Sequence, residues 1–101
     1  WGKFLLVEES WYQKPYIDTY IDEKTFLRSF FHSNKEKFIW HSDLVDRKVE
    51  ILHADYCFFQ FDNQMPFELK LGDIIEIPKG QIHRIILSKG GLILKISEVK
   101  L

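Results

Sequence analysis

Few side chains in this 101-residue chain are equipped for chemistry, and their spacing narrows what they can do. His41 and Asp43 stand two residues apart, so on a strand they share one face and offer an imidazole and a carboxylate to the same space. Arg47 follows shortly after. Its guanidinium is always charged and cannot ligate a metal, but it recognises carboxylates and phosphates. Asp46 would supply a second carboxylate if the strand ran in the other register, since a one-residue bulge reverses every side chain. Gln60 falls between Phe59 and Phe61 and is expected to face a cavity, because a polar group among aromatics needs a partner if buried. The rings of Trp40, Tyr56, Phe59 and Phe61 suit either stacking on a ligand or core packing. Cys57, in the apolar run Tyr56-Cys57-Phe58-Phe59, has no base beside it and reads as a buried, inert thiol. His32 and His53 lie near strand ends and are expected at the surface. There is no Gly-rich phosphate loop, nucleophile elbow or His-Glu-x-x-His pair, and nothing organises Ser, His and Asp as a triad.

Strands must position these groups. Segments rich in Phe, Ile, Val and Tyr recur every eight to twelve residues between turn-forming clusters, which points to an antiparallel sandwich or barrel. The predicted strands are 4–8, 16–21, 26–32, 38–41, 48–52, 56–61, 67–69, 73–77, 83–87 and 92–98. Ser33-Asn34-Lys35-Glu36, Asp62-Asn63-Gln64 and Leu71-Gly72-Asp73 mark turns, and Lys89-Gly90-Gly91 offers positive-φ freedom at a hairpin tip. Helix is limited to a turn or two at 9–13 or 42–46. An immunoglobulin-like sandwich would bring its own hallmarks, including paired cysteines in many members, and none are present.

Composition sets the outer bounds. Hydrophobic residues make up 46% of the chain and aromatics 16%, enough for one core and too much for disorder, so residues 1–101 are read as one domain. Fourteen basic against fifteen acidic side chains leave a net charge of -1, with no basic stripe, which argues against a nucleic-acid partner. No apolar stretch approaches the roughly 20 residues of a membrane span, and no signal peptide is visible. A cytoplasmic location is the corresponding expectation.

One segment carries a family resemblance. Gly72-Asp73-Ile74-Ile75-Glu76-Ile77-Pro78-Lys79-Gly80-Gln81-Ile82-His83 resembles the second conserved motif of the cupin superfamily, matching its Gly, Pro, Gly and His positions; Leu87 stands where Asn often follows. The first motif is degenerate: His41-Ser42-Asp43 replaces its His pair, and its Glu position falls on Arg47 or Asp46 according to register. The resemblance implies an all-β fold, a small jelly-roll or cupin barrel of antiparallel strands. It further implies that His41, Asp43 and His83 converge inside, forming the two-His, one-carboxylate facial triad of non-haem iron sites. The bound metal would be a divalent ion such as Fe, Mn, Ni or Zn. Arg47, Gln60 and Tyr56 would then bind a small polar ligand, a sugar or a carboxylate. The same His-x-Asp…His order is found in iron oxygenases on related double-stranded β-helices, but no counterpart of their cosubstrate-binding Arg follows His83. Two alternatives stay open: a metal-free structural or assembly barrel with Asp43 and Arg47 paired, and a metal-free sugar-phosphate isomerase or epimerase with His41 as base. Small cupins are commonly dimers, and Trp11, Tyr12, Tyr16 and Tyr20 would suit a homodimer interface.

Overall fold

Alternation of side chains across each strand decides which residues meet in the interior. In this computed structural model, residues 16–30, 40–88 and 90–101 are described. They form eight strands: β1 (Tyr16–Tyr20), β2 (Thr25–Phe30), β3 (Asp46–Ala54), β4 (Phe58–Phe61), β5 (Phe67–Glu68), β6 (Ile74–Ile77), β7 (His83–Ile86) and β8 (Leu92–Val99). Every pairing is antiparallel, giving a five-stranded sheet in the order β1-β2-β8-β3-β6 and a three-stranded sheet in the order β5-β4-β7. The all-β, two-sheet jelly-roll expected from the sequence is present. The expected strand at 4–8, half of that at 38–41, the turn at 33–36, the helical turn at 9–13, and Trp11, Tyr12 and His32 lie outside the described residues.

The central strand β8 shows why the core forms where it does. Leu92, Leu94 and Ile96 point inward and are almost wholly buried, while the residues between them turn to the other face. Val49 and Ile51 of β3, Phe26 of β2, and Ile75 and Ile77 of β6 share that interior, and Phe59 of β4 and Leu69, just after β5, meet them from the other side. Cys57 is buried in the same cluster as a free thiol, with Sγ 3.7 Å from the carbonyls of Asp55 and Gly91.

Two local expectations change. The stretch 42–46 contains a bend and no helix. Positive φ occurs at Gly72 (90°) and Gly80 (81°), which open and close the turn pair around β6, rather than at Gly90-Gly91. At Gly90 the demand is for space, because a Cβ there would run into the Asp55 side chain. Among the described residues, no helix is long and apolar enough to cross a membrane.

Candidate metal centre

The site is assembled by one bridge between segments far apart in sequence. His41 and His83 lie opposite each other and exchange both backbone hydrogen bonds, His41 N to His83 O at 3.0 Å and His83 N to His41 O at 2.9 Å. Such a pair presents both side chains on one face, and the two imidazoles stand with ring centroids 4.3 Å apart. Asp43, two residues on, returns to the same face, and its carbonyl accepts the Gly80 amide at 2.9 Å. The positive-φ turn at Gly80 therefore positions both His83 and Asp43. One ligand atom each from His41, Asp43 and His83 lie within 4.8 Å of one another.

Burial and hydrogen bonding then settle which atoms face the centre. His83 is 3% exposed, and its ring stacks on Phe59 with centroids 5.5 Å apart, with Phe61 edge-on beyond. Its Nδ1 lies 2.8 Å from the Gln81 carbonyl, which can only accept, so Nδ1 carries the hydrogen. Burial holds the His83 pKa below its ordinary value and favours the neutral ring, against the opposing pull of the Gln81 bond. In that ring Nε2 is a bare lone pair, and it faces Asp43 Oδ2 at 3.5 Å. Oδ2 is itself buried and, among the described residues, has no hydrogen-bond partner. Two electron-rich atoms thus confront each other, an arrangement that a cation satisfies.

The register question has a definite answer. Arg47 points inward with Val49 and Ile51, and its Nη1 reaches Asp43 Oδ1 at 3.3 Å. Asp46 points outward, where its two oxygens accept the amides of Lys79 (2.8 Å) and Leu101 (3.0 Å). These bonds hold the Asp46 carboxyl below its usual pKa. The bulge in β3 falls between Ile51 and His53, beyond the site, so the parity from Arg47 to Ile51 is unbroken.

Gln60 and Tyr56 do not line the cavity. Phe59 and Phe61 take the inner face of β4, which sends Gln60 outward; its Oε1 accepts Arg84 Nε at 2.9 Å and its Nε2 donates to the Gln64 carbonyl at 2.9 Å. Tyr56 sits in the turn before β4 with φ 61°, largely exposed, its ring against Phe58. Trp40 is also outside, under the Arg84 guanidinium at 4.5 Å. His53 is exposed, as expected. Arg28, passed over in the sequence, does line the cavity and is held by Asp18 through Nε–Oδ1 (2.8 Å) and Nη2–Oδ2 (2.9 Å). The signal was available, since Arg28 shares the parity of Phe26 and Phe30 on β2.

The cavity beneath these groups has a volume of about 30 Å³, polar at the His41–Asp43–Arg47–His83 end and walled elsewhere by Val, Ile, Leu and Phe side chains of both sheets. Solved structures share this architecture. A cupin domain from Bordetella pertussis Tohama I superposes with a TM-score of 0.59 at 19% identity, covering 88% of this chain and 98% of that one. The chain has a cupin fold. A DMSP lyase structure matches with a TM-score of 0.61 at 12% identity over 71% of this chain, and FeII HppE with 0.60 at 10% over 74%. This cupin-fold chain spans only 35% and 41% of those two proteins. No protein-family model matches the sequence, and no curated protein matches it.

Proposed function

We propose that this cupin-fold protein binds a small polar ligand through a divalent metal held by His41, Asp43 and His83, with Arg47 orienting the ligand. One observation carries the reading: the bare His83 Nε2 and the unpartnered, buried Asp43 Oδ2 face each other at 3.5 Å. Uncompensated buried polar atoms are costly, and a cation ligated by two imidazoles and one carboxylate would relieve that cost at Asp43 Oδ2. The Gln81 carbonyl fits the same reading, because metal-ligating histidines generally donate their other ring N–H to such an acceptor. A bound metal would polarise the ligand as a Lewis acid and leave coordination positions open to it. FeII HppE, whose name includes its iron, shares the fold and lends the reading general support.

Elemental analysis of the protein purified without an affinity tag, beside a His41→Ala/His83→Ala variant, tests this. Close to one equivalent of iron, manganese, nickel or zinc, lost in the variant, is expected. No metal in either sample, even after soaking, would sink the reading in favour of a non-catalytic barrel, for which the Asp43–Arg47 ion pair is the supporting observation. Sugar-phosphate isomerisation has less support, since the cavity of about 30 Å³ admits a head group but does not enclose a whole sugar phosphate.

A further inference from the structure

Arg47 carries a spare donor. Its Nη1 is engaged by Asp43, but its Nε is buried and, among the described residues, has no hydrogen-bond partner. The backbone cannot carry the group away, because Arg47 is paired with Ile77 on one side and Glu98 on the other. A buried charged donor left unmade is destabilising, so the position calls for an acceptor.

Space and charge narrow what that acceptor is. The cavity of about 30 Å³ takes roughly two waters or a planar carboxylate head, and suits the bulkier phosphate less well. The charges lining it cancel in pairs, Arg28 with Asp18 and Arg47 with Asp43. A divalent ion at His41, Asp43 and His83 would add two positive charges within mostly apolar walls, where uncompensated charge is expensive. A guanidinium edge is shaped for a carboxylate. His41 is exposed, so the remainder of a ligand has a way out past it.

We infer that the ligand is a small carboxylic acid whose carboxylate enters beside Arg47 Nε and balances the charge of the metal, so that acid and metal bind cooperatively. The inference rests on the metal reading above. Coupling of this kind is reciprocal, so a carboxylate must tighten metal binding by the factor by which metal tightens the carboxylate.

The test is a Mn²⁺ titration of the full chain, with free Mn²⁺ read by electron paramagnetic resonance, at constant ionic strength in acetate, in sulfate and in acetamide, the neutral counterpart of acetate. Acetate is expected to lower the Mn²⁺ Kd about tenfold relative to acetamide. In Arg47→Gln the ratio of the two Kd values is expected to fall to about one, whatever the variant's baseline affinity. Equal Kd values in acetate and acetamide for the unaltered protein overturn the assignment while leaving the metal reading intact, as does sulfate matching acetate. Absence of Mn²⁺ binding in every buffer overturns the cooperative assignment, and together with no iron, nickel or zinc in the purified protein it overturns the metal reading as well. The comparison on the unaltered protein decides the matter even if Arg47→Gln fails to fold.

Discussion

The same strands build two unlike regions. On β3, Val49 and Ile51 enter the apolar floor of the barrel, and Arg47, on the same face, enters its polar end. On β7, Ile85 packs on the floor while His83 belongs to the polar cluster. In the floor each side chain is satisfied by its neighbours, and tight packing is the whole of its role. In the polar end the Nε of Arg47 and Oδ2 of Asp43 are buried and, among the described residues, unmatched. Apolar packing is concentrated in the first region, and the buried polar atoms without compensation lie in the second.

That contrast can be broken or sharpened by substitution. The largest effect is expected in the floor. Ile51 is fully buried on the central part of β3, and Ile51→Ala should cost about 2–5 kcal/mol in denaturant unfolding. A loss below about 1 kcal/mol would show that the floor is loosely packed and the contrast overstated.

Next comes the polar end, where the expected sign is opposite. Replacing a buried ion pair by apolar residues of similar volume is often neutral or stabilising. Asp43→Leu/Arg47→Met, side chains 9% and 20% exposed in the parent, should therefore match or exceed the parent's stability, by up to about 4 kcal/mol, while losing metal. A strong destabilisation would instead make the pair a structural element of the barrel.

The smallest effect concerns pH. Burial depresses the His83 pKa below 6.5, so the folded protein holds that proton more weakly than the unfolded chain. Between the depressed value and 6.5 the unfolded chain binds more protons, and stability rises with pH; the contribution is complete above 6.5 and is lost as pH falls through the folded value. Denaturation midpoints of metal-free protein across this range should slope upward with pH, and His83→Gln should flatten the slope. An unchanged slope in the variant would assign it to other groups.

Much of the fold was legible because its determinants are local. The Gly72–His83 motif encodes its own geometry, with Gly72 and Gly80 at positive φ and a strand of alternating burial between them. Strand segments were readable from period-two alternation, and the inward face of β4 followed from Phe59 and Phe61. Reading Gln60 toward the cavity went against that alternation; its partners are Arg84 on the adjacent strand and the Gln64 carbonyl in the following turn.

By itself the sequence determined the strands, the glycine turns and the shared face of His41 and Asp43, all properties of neighbouring residues and of a backbone with few allowed conformations. Only the tertiary structure decided that Arg47 rather than Asp46 faces inward. Asp46 is drawn outward by amides 33 and 55 residues away, and the bulge that would have reversed the parity falls after Ile51. It likewise decided that His41 meets His83, since that depends on two segments from different parts of the chain exchanging their backbone hydrogen bonds. Pairings of that range depend on closing long loops and burying a common core, which no local pattern encodes.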